Sequence, residues 1–552
     1  MGIDDPMSDI CILCIENPDA NESLKVNWIE CEICKRWYHI HCLNLKRSES
    51  ESISEYHCPT CEPKNGPSIH KRKSTRARKK IDYIALDAGE QLREIDQHPH
   101  IRNFQAFEND KPLSELIYQV TPERDANESG IIDDEVITNI IFKTEMKRPI
   151  LIPSCNPSLP NCKPFYDLTF KFPKLTVTEI AEYVGEDKSI PVMDVLTQNN
   201  SPNWTVGKWR DYFNSDAQDR DRIRNVISLE VSQTDLNSRI ELPKSVLEVD
   251  IVNKLFSNEA VKESLEKNNI ERPKVSKYLL MSVKDSFTDF HIDFGGTSVY
   301  YTILQGAKQF LMFPPTKRNL SIYEKWCSTD NQNSVWFADS VPKLPKRLQK
   351  GNGTTNTNNM KRNQQADILG SIDPAYSNNG IKIDINPGDL LILPSGWIHS
   401  VYTPCDSVIV GGNFLNLLSL TNHLKIYDIE TNTKVPEKFK FPNFIMVVWL
   451  IGWYLMSDQV VLSDKELHCI VNLLPFYRSQ LNLIMDKEKL QDKNYKRLII
   501  KIKAMSPVNI IGKPAEFVDK FEAWYNNQLK IHGLDYNDIE NDLEHINKRQ
   551  KN

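Results

Sequence analysis

Apolar and polar positions alternate in several short runs of the chain and fall at helical spacing towards its end. One alternating run, Thr288 to Gly296, reads TDFHIDFGG. On a strand, residues i and i+2 share a face. His291 and Asp293 are therefore predicted to project together, with Phe290, Ile292 and Phe294 on the other side. QGAKQFLMFPP follows as a strand on which Lys308, Phe310 and Met312 share a face. In IKIDINPGDLLILPSGWIHS, Pro387-Gly388-Asp389 signals a turn and Leu390 to Leu393 a short apolar strand. His399 lies in the strand-like run WIHSVYTP. Beyond about residue 416 the strand signals fade. EFVDKFEAWYNNQLKIHGL has helical spacing with a glycine near its end. The thirteen residues FIMVVWLIGWYLM, Phe444 to Met456, are too few to span a bilayer and predict a buried helix.

The patterning breaks in two places. Residues 64–82, KNGPSIHKRKSTRARKKID, carry many charges and almost no large apolar side chains, and read as a linker. Seven of the ten residues from Lys71 to Lys80 are Lys or Arg. Residues 341–379 are polar, of low complexity and rich in Asn and Thr. Such a segment cannot bury enough apolar surface to offset its ordering entropy, so a disordered insertion is predicted within one domain. At 552 residues the chain is long enough for two to four domains. Apolar content of 40% with 26% charged residues is that of a soluble globular protein, and no membrane partner is expected. The opening MGIDDPMSDI is acidic and lacks the basic start and apolar core of a signal peptide. The net charge of −6 says little about partners, because the charge is unevenly placed.

Seven of the twelve cysteines fall within the first 61 residues. Their spacing is Cys11-x2-Cys14-x16-Cys31-x2-Cys34-x4-His39-x2-Cys42-x15-Cys58-x2-Cys61. Eight soft ligands in four close pairs predict two tetrahedral zinc sites rather than disulfides. A block of about 60 residues builds too small a core to stand alone, so zinc would supply much of its folding energy. The pattern resembles a PHD finger. That resemblance implies interleaved pairs, with Cys11, Cys14, His39 and Cys42 on one zinc and Cys31, Cys34, Cys58 and Cys61 on the other. It also matches Trp37 and Trp28 to the walls of a methyl-lysine cage, where a quaternary ammonium gains cation–π energy. Packing of these tryptophans on the zinc core is the alternative. His41 and His57 lie off the pattern.

A carboxylate in an apolar strand needs a partner. His291 and Asp293 are either a hydrogen-bonded pair or two ligands of one metal. With His399 they would make the two-histidine, one-carboxylate facial triad of non-haem Fe(II) oxygenases, with positions left open for a 2-oxo acid and dioxygen. Lys308, aligned with apolar residues, either snorkels to solvent or meets an anion.

Together, MSVKDSFTDFHIDFGGTSVYYTILQGAKQFLMFPP and GDLLILPSGWIHSVYTP resemble a JmjC domain, as do RNVISLEVS and GGNFL. With the finger, the chain is similar to PHD-JmjC histone lysine demethylases, most of all to the subgroup acting on mono- and dimethylated lysine 36 of histone H3. The resemblance implies iron on His291, Asp293 and His399. It implies 2-oxoglutarate held at its distal carboxylate by Thr288 and Lys308, with Tyr301 and Asn225 as further co-substrate positions. Tyr278 matches a wall of the methyl-lysine pocket. The expected cofactors are Fe(II), 2-oxoglutarate, O2 and two zinc ions. The expected partners are a methylated histone H3 tail and the nucleosome, with DNA phosphates on residues 71–80, and the expected location is the nucleus. The expected fold class is mixed. A PHD finger over 8–63 and the basic linker over 64–82 precede a JmjC double-stranded β-helix (jelly-roll, cupin-like) with flanking helices over 83–425. A helical C-terminal region over 426–552 follows. The gap from Asp293 to His399 is longer than is usual in the family, and the insertion at 341–379 accounts for it; loop closure entropy grows slowly with length, so the metal site is expected to survive. Two alternatives stand beside this reading, a catalytically silent chromatin reader and a JmjC protein hydroxylase.

Overall fold

Cysteine spacing governs the local structure of the first of two units into which the chain divides, Met1–Gln91 and Leu92–Asn552. A computed structural model describes residues 11, 13, 28–45, 47–50, 53–70, 97–329, 332–341, 380–457, 460–485 and 493–534. Cys14, the basic run 71–80 and all but Val341 of the expected insertion lie outside these residues. In the first unit, strand β1 (Trp28–Glu30) pairs antiparallel with β2 (Trp37–His39). A second pair joins β3 (Ile53–Glu55) to β4 (Ile69–His70). Among the described residues, the buried apolar core here is Cys11, Cys31, Tyr38, Tyr56 and Cys58. Three of those five are candidate zinc ligands, as expected of a block too small to fold on apolar burial alone.

The second unit is built on an eleven-stranded sheet. Its strands are β5 (Tyr118–Gln119), β6 (Ile150–Ile152), β7 (Val192–Asp194), β8 (Asn199–Ser201), β9 (Arg224–Glu230), β10 (Tyr278–Ser282), β11 (Phe287–His291), β12 (Ser298–Phe313), β13 (Ile381–Ile385), β14 (Leu390–Leu393) and β15 (Ile398–Phe414). The order is β8-β7-β9-β10-β15-β12-β14-β6-β5, with β11 also on β15 and β13 also on β12. The long strands β12 and β15 run antiparallel from Ser298↔Phe414 to Phe313↔Ile398. Each changes neighbour along its length. β12 pairs with β14 over Val299–Thr302 and with β13 over Lys308–Met312. β15 pairs with β11 near its start and with β10 over Ser407–Gly411. Two strands that cross from one layer to the other in this way curl the sheet into the jelly roll expected from the sequence.

The bend of β12 is at Gly306, where the register against β15 shifts. Gly306 has φ +81°, and a Cβ there would lie 2.3 Å from the carbonyl oxygen of Asp406. Only glycine fits such a turn of the chain. Leu390 to Leu393 is buried at all four positions, the mark of a strand covered on both faces.

The C-terminal region is helical, as the spacing predicts. Its helices include α1 (Leu420–Asn432), α2 (Phe444–Leu455), α3 (Leu473–Met485) and α4 (Pro514–Ile531). α2 is the FIMVVWLIGWYL run, apolar all round and buried on nearly every side. Trp449 stacks on Tyr477 at 4.5 Å, and the Tyr477 hydroxyl donates to Val448 O at 2.8 Å. Among the described residues, no helix is long and apolar enough to cross a membrane.

Candidate active site

Three segments converge at one end of the barrel. β11 ends on His291, the chain beyond it presents Asp293, and β15 opens with Ile398 and His399. His291 and His399 face each other across the two strands, their rings 4.2 Å apart. Nε2 of His399 lies 3.8 Å from Oδ2 of Asp293. One ligand atom from each of the three falls within 4.8 Å of the others. The strand reading of TDFHIDFGG needs one correction. Strand structure stops at His291, and Asp293 caps a 3-10 turn, Phe294–Gly296. Gly295 and Gly296 both take φ +59°, and two successive left-handed residues turn the chain out of the strand direction. Asp293 itself stays extended, at φ −59° and ψ 144°, so the two ligand candidates still project together and the turn begins only beyond them.

The imidazoles are pre-oriented. A carbonyl oxygen only accepts, so Nδ1–H of His291 donates to Asp289 O at 2.8 Å, and Nδ1–H of His399 donates to Trp397 O at 3.0 Å. That leaves each Nε2 with its lone pair free. Burial, reinforced by the neighbouring His291, holds the pKa of His399 down to about 4. It is a neutral ligand at pH 7. Two nitrogen donors and one carboxylate fit a divalent first-row ion of the Fe(II) class and leave coordination positions open.

Along the same strands lies a polar cluster in an apolar interior. Lys308 is 3% exposed and does not snorkel. Its Nζ donates to Ser282 Oγ and to Thr403 Oγ1, both at 2.6 Å. Ser282 Oγ donates to Asn225 Oδ1 at 2.5 Å, and Asn225 Nδ2 donates to Thr288 Oγ1 at 3.2 Å. Burial lowers the pKa of Lys308 from 10.5 to about 7. Lys308, Thr288 and Asn225 are thus brought together. The cluster offers an incoming carboxylate one ammonium, three hydroxyls and an amide. Tyr301 is buried and packs edge-on against Phe310 at 5.1 Å, and Phe310 stacks on His399 at 5.9 Å. Tyr278 stands at the far end of β10 from Ser282, and its hydroxyl donates to Lys274 O at 3.1 Å. Sequence reasoning missed Ser282 and Thr403. Thr403 was legible, because it follows His399 by four positions on one strand and so shares its face. Ser282 carries no such signal.

In the finger, the sulfurs of Cys31, Cys34, Cys58 and Cys61 form one cluster, and Cys11, His39 and Cys42 another. Cys34 Sγ and Cys58 Sγ are 3.8 Å apart. Two thiolates on a tetrahedral zinc, each bond about 2.3 Å, would be separated by about 3.8 Å. Burial pushes the Cys58 thiol up, but hydrogen bonds from Tyr38 and from the Cys61 and Thr60 main chain prevail and bring it to about 6. Both clusters follow the interleaved pairing. His57 is otherwise engaged, its Nδ1 donating to Gly66 O at 2.8 Å. Trp28 and Trp37 lie on one face of the β1–β2 pair and are 40% and 39% exposed. Trp28 also rests on the ring of His39 at 3.9 Å, so it both packs on the zinc core and offers a free face.

Comparison with known proteins agrees with this architecture. Residues 11–61 match the PHD-finger family, 181–416 the Cupin-like domain and 418–506 the Jumonji helical domain. The JmjC domain-containing histone demethylation protein 1 of Debaryomyces hansenii is 40% identical over 459 residues, 82% of this chain and 80% of that protein. Its counterpart from Candida albicans is 39% identical over 533 residues, 94% of this chain and 97% of that protein. The chain belongs to the JmjC domain-containing histone demethylation protein family. The likeness reaches beyond fungi. The histone lysine demethylase PHF8 of Danio rerio is 32% identical over 440 residues, 80% of this chain and 36% of that protein. For this JmjC family member, a JmjC barrel carrying a His/Asp/His site and a PHD finger carrying a four-cysteine cluster agree with iron- and zinc-type binding.

Proposed function

We propose that the chain is an Fe(II)- and 2-oxoglutarate-dependent histone lysine demethylase that removes mono- and dimethyl marks from lysine 36 of histone H3. The observation that carries this reading is the pairing of two sites on shared strands. A three-ligand cluster, His291, Asp293 and His399, shares its strands with a buried ammonium, Lys308, whose partners among the described residues are two hydroxyls. An uncompensated buried cation is costly, and a carboxylate is the partner that relieves the cost.

In this reading His291, Asp293 and His399 hold the iron. Lys308 and Thr288 bind the distal carboxylate of 2-oxoglutarate, while Asn225 orients Thr288 through its amide and Tyr301 completes the wall. When bound, iron and 2-oxoglutarate supply the oxidation that hydroxylates the N-methyl group, with O2 as the oxidant and 2-oxoglutarate oxidised alongside to succinate and CO2, after which formaldehyde leaves. The protein contributes orientation and dryness. The Nδ1–H bonds fix both imidazoles, Phe310 covers His399, and the apolar strands exclude water. Tyr278 lines the approach of the methylated lysine. Trp28 and Trp37 form two walls of a cage that reads a methylated histone H3 tail, and residues 71–80 hold DNA phosphates beside the nucleosome and direct the chain to the nucleus.

The test is mass spectrometry on a panel of methylated histone H3 peptides and nucleosomes with Fe(II), 2-oxoglutarate and ascorbate, with His291→Ala alongside. Loss of about 14 daltons per methyl group, one CH2 and confined to the lysine 36 substrate, is expected from the wild type only. Loss at another lysine corrects the specificity. A hydroxylated product without formaldehyde refutes demethylation.

A further inference from the structure

The three ligand candidates are not held alike. Both imidazoles have their own hydrogen bond to a main-chain carbonyl. The Asp293 carboxylate has a single described polar contact, His399 at 3.8 Å. Its position rests on the backbone that carries it. That backbone is the Phe294–Gly296 turn, closed by Gly296 N–H donating to Asp293 O at 2.9 Å.

The turn is gripped from outside the barrel. Gly295 N–H donates to Glu430 Oε1 at 2.7 Å. Nδ1–H of His423 donates to Gly296 O at 2.8 Å, and its Nε2 accepts from Asn416 N–H at 3.2 Å. Both contacts fix one tautomer of a buried, neutral ring. Ser395 Oγ also donates to Gly296 O. Glu430 and His423 both belong to α1, seven residues and two turns apart on one face. The space beneath is closed too, by this helix under Gly296 and by Phe441 beyond it under Gly295. A Cβ on Gly296 would come within 2.7 Å of Ile426 Cγ1, and one on Gly295 within 2.9 Å of Phe441 Cβ. Glu430 is buried, and its Oε2 has no hydrogen-bond partner among the described residues. A carboxylate taken out of water to accept one main-chain N–H is expensive unless that bond has a use.

We propose that Glu430, supported by His423, is a positioning residue for Asp293, so that the first helix of the C-terminal region sets the metal affinity of the barrel. The inference rests on the metal reading above. Glu430 touches neither metal nor substrate; it fixes the turn, and the turn aims the carboxylate. By linkage, metal bound at Asp293 tightens α1 in return.

The probe is Co(II), titrated into full-length protein with its zinc sites filled. Glu430→Met keeps the length and removes the acceptor; it is expected to bind Co(II) about tenfold more weakly, the usual scale for an outer-shell partner. Glu430→Gln, whose amide oxygen accepts the same N–H, is expected to restore wild-type affinity. A merely structural role would lower thermal stability in Glu430→Met without moving the Co(II) affinity, and that result overturns the proposal. Should Glu430→Met fail to fold, hydrogen exchange on the wild type decides. Co(II) is expected to slow exchange across residues 420–432, and protection that ends at Gly296 overturns the proposal. A wild type that binds no Co(II) beyond its zinc sites overturns the metal reading, whereas equal binding by wild type and Glu430→Met overturns the clamp alone.

Discussion

Lys308 should make 2-oxoglutarate binding pH-dependent in the neutral range. In the free site its pKa is lowered from 10.5 to about 7 by burial. At pH 8 about one molecule in ten therefore carries the charge, and at pH 6 about nine in ten. A bound carboxylate stabilises the ammonium and returns the pKa towards its ordinary value. Binding then takes up about 0.9 proton at pH 8 and about 0.1 at pH 6. Affinity should fall about tenfold from pH 6 to pH 8, because only the charged form is ready to bind. The dicarboxylate stays ionised throughout, and His399, held to about 4, does not titrate in this window. Asp289 and Glu430, both raised to about 7 by burial, do titrate there. The control is Lys308→Arg, whose guanidinium stays charged. Calorimetry in two buffers of different ionisation enthalpy counts the protons directly. Absence of uptake at pH 8 refutes the argument, as does an unchanged pH profile in Lys308→Arg. The same lysine sets a stability trend. The unfolded chain holds the extra proton between about 7 and 10.5, so this group makes the free protein more stable as pH rises through that window.

Cys58→Ser should release one zinc per chain and open residues 28–70 to proteolysis, since structural zinc contributes about 10–16 kcal/mol to folding such a block; unchanged zinc content by elemental analysis counts against the four-cysteine site. Gly306→Val places a branched side chain at φ +81°, with its Cβ 2.3 Å from Asp406 O. It should cost about 2–4 kcal/mol, seen as a lowered Tm, and an unchanged Tm would show that the bend does not need glycine. Trp37→Ala should weaken binding of a trimethyl-lysine peptide by about 0.5–2 kcal/mol while leaving the unmodified peptide unaffected; equal losses for both would remove the cage reading.

Local patterns carried the fold further than they carried the site. Short strands such as Leu390–Leu393 and the buried helix Phe444–Leu455 were legible because apolar runs of those lengths have few other places to go. Both ligand clusters of the finger were legible because soft ligands at fixed spacing are rarely anything else. Pleat periodicity placed His291 and Asp293 together, but it hid that the ladder stops at His291 and that a turn with two left-handed glycines follows Asp293 directly. The surroundings of Lys308 were hidden. Ser282 and Thr403 reach it from two different strands, Asn225 meets Ser282 from a third, and no window of sequence contains that meeting. Glu430 was hidden for the same reason, because its partner Gly295 is 135 positions away.

The way the two imidazoles are held bears on how freely this sequence can drift. Each is aimed by a carbonyl of the main chain two residues earlier, at Asp289 and at Trp397. Every residue type supplies that oxygen, so substitution at either position leaves the acceptor in place. Selection need guard only the histidines and the backbone path that carries them. The carboxylate has no such insurance, because its turn depends on two glycines and on side chains from a distant helix. Mutational damage to the site should therefore concentrate on that third ligand, and a lineage losing catalysis should lose it there first.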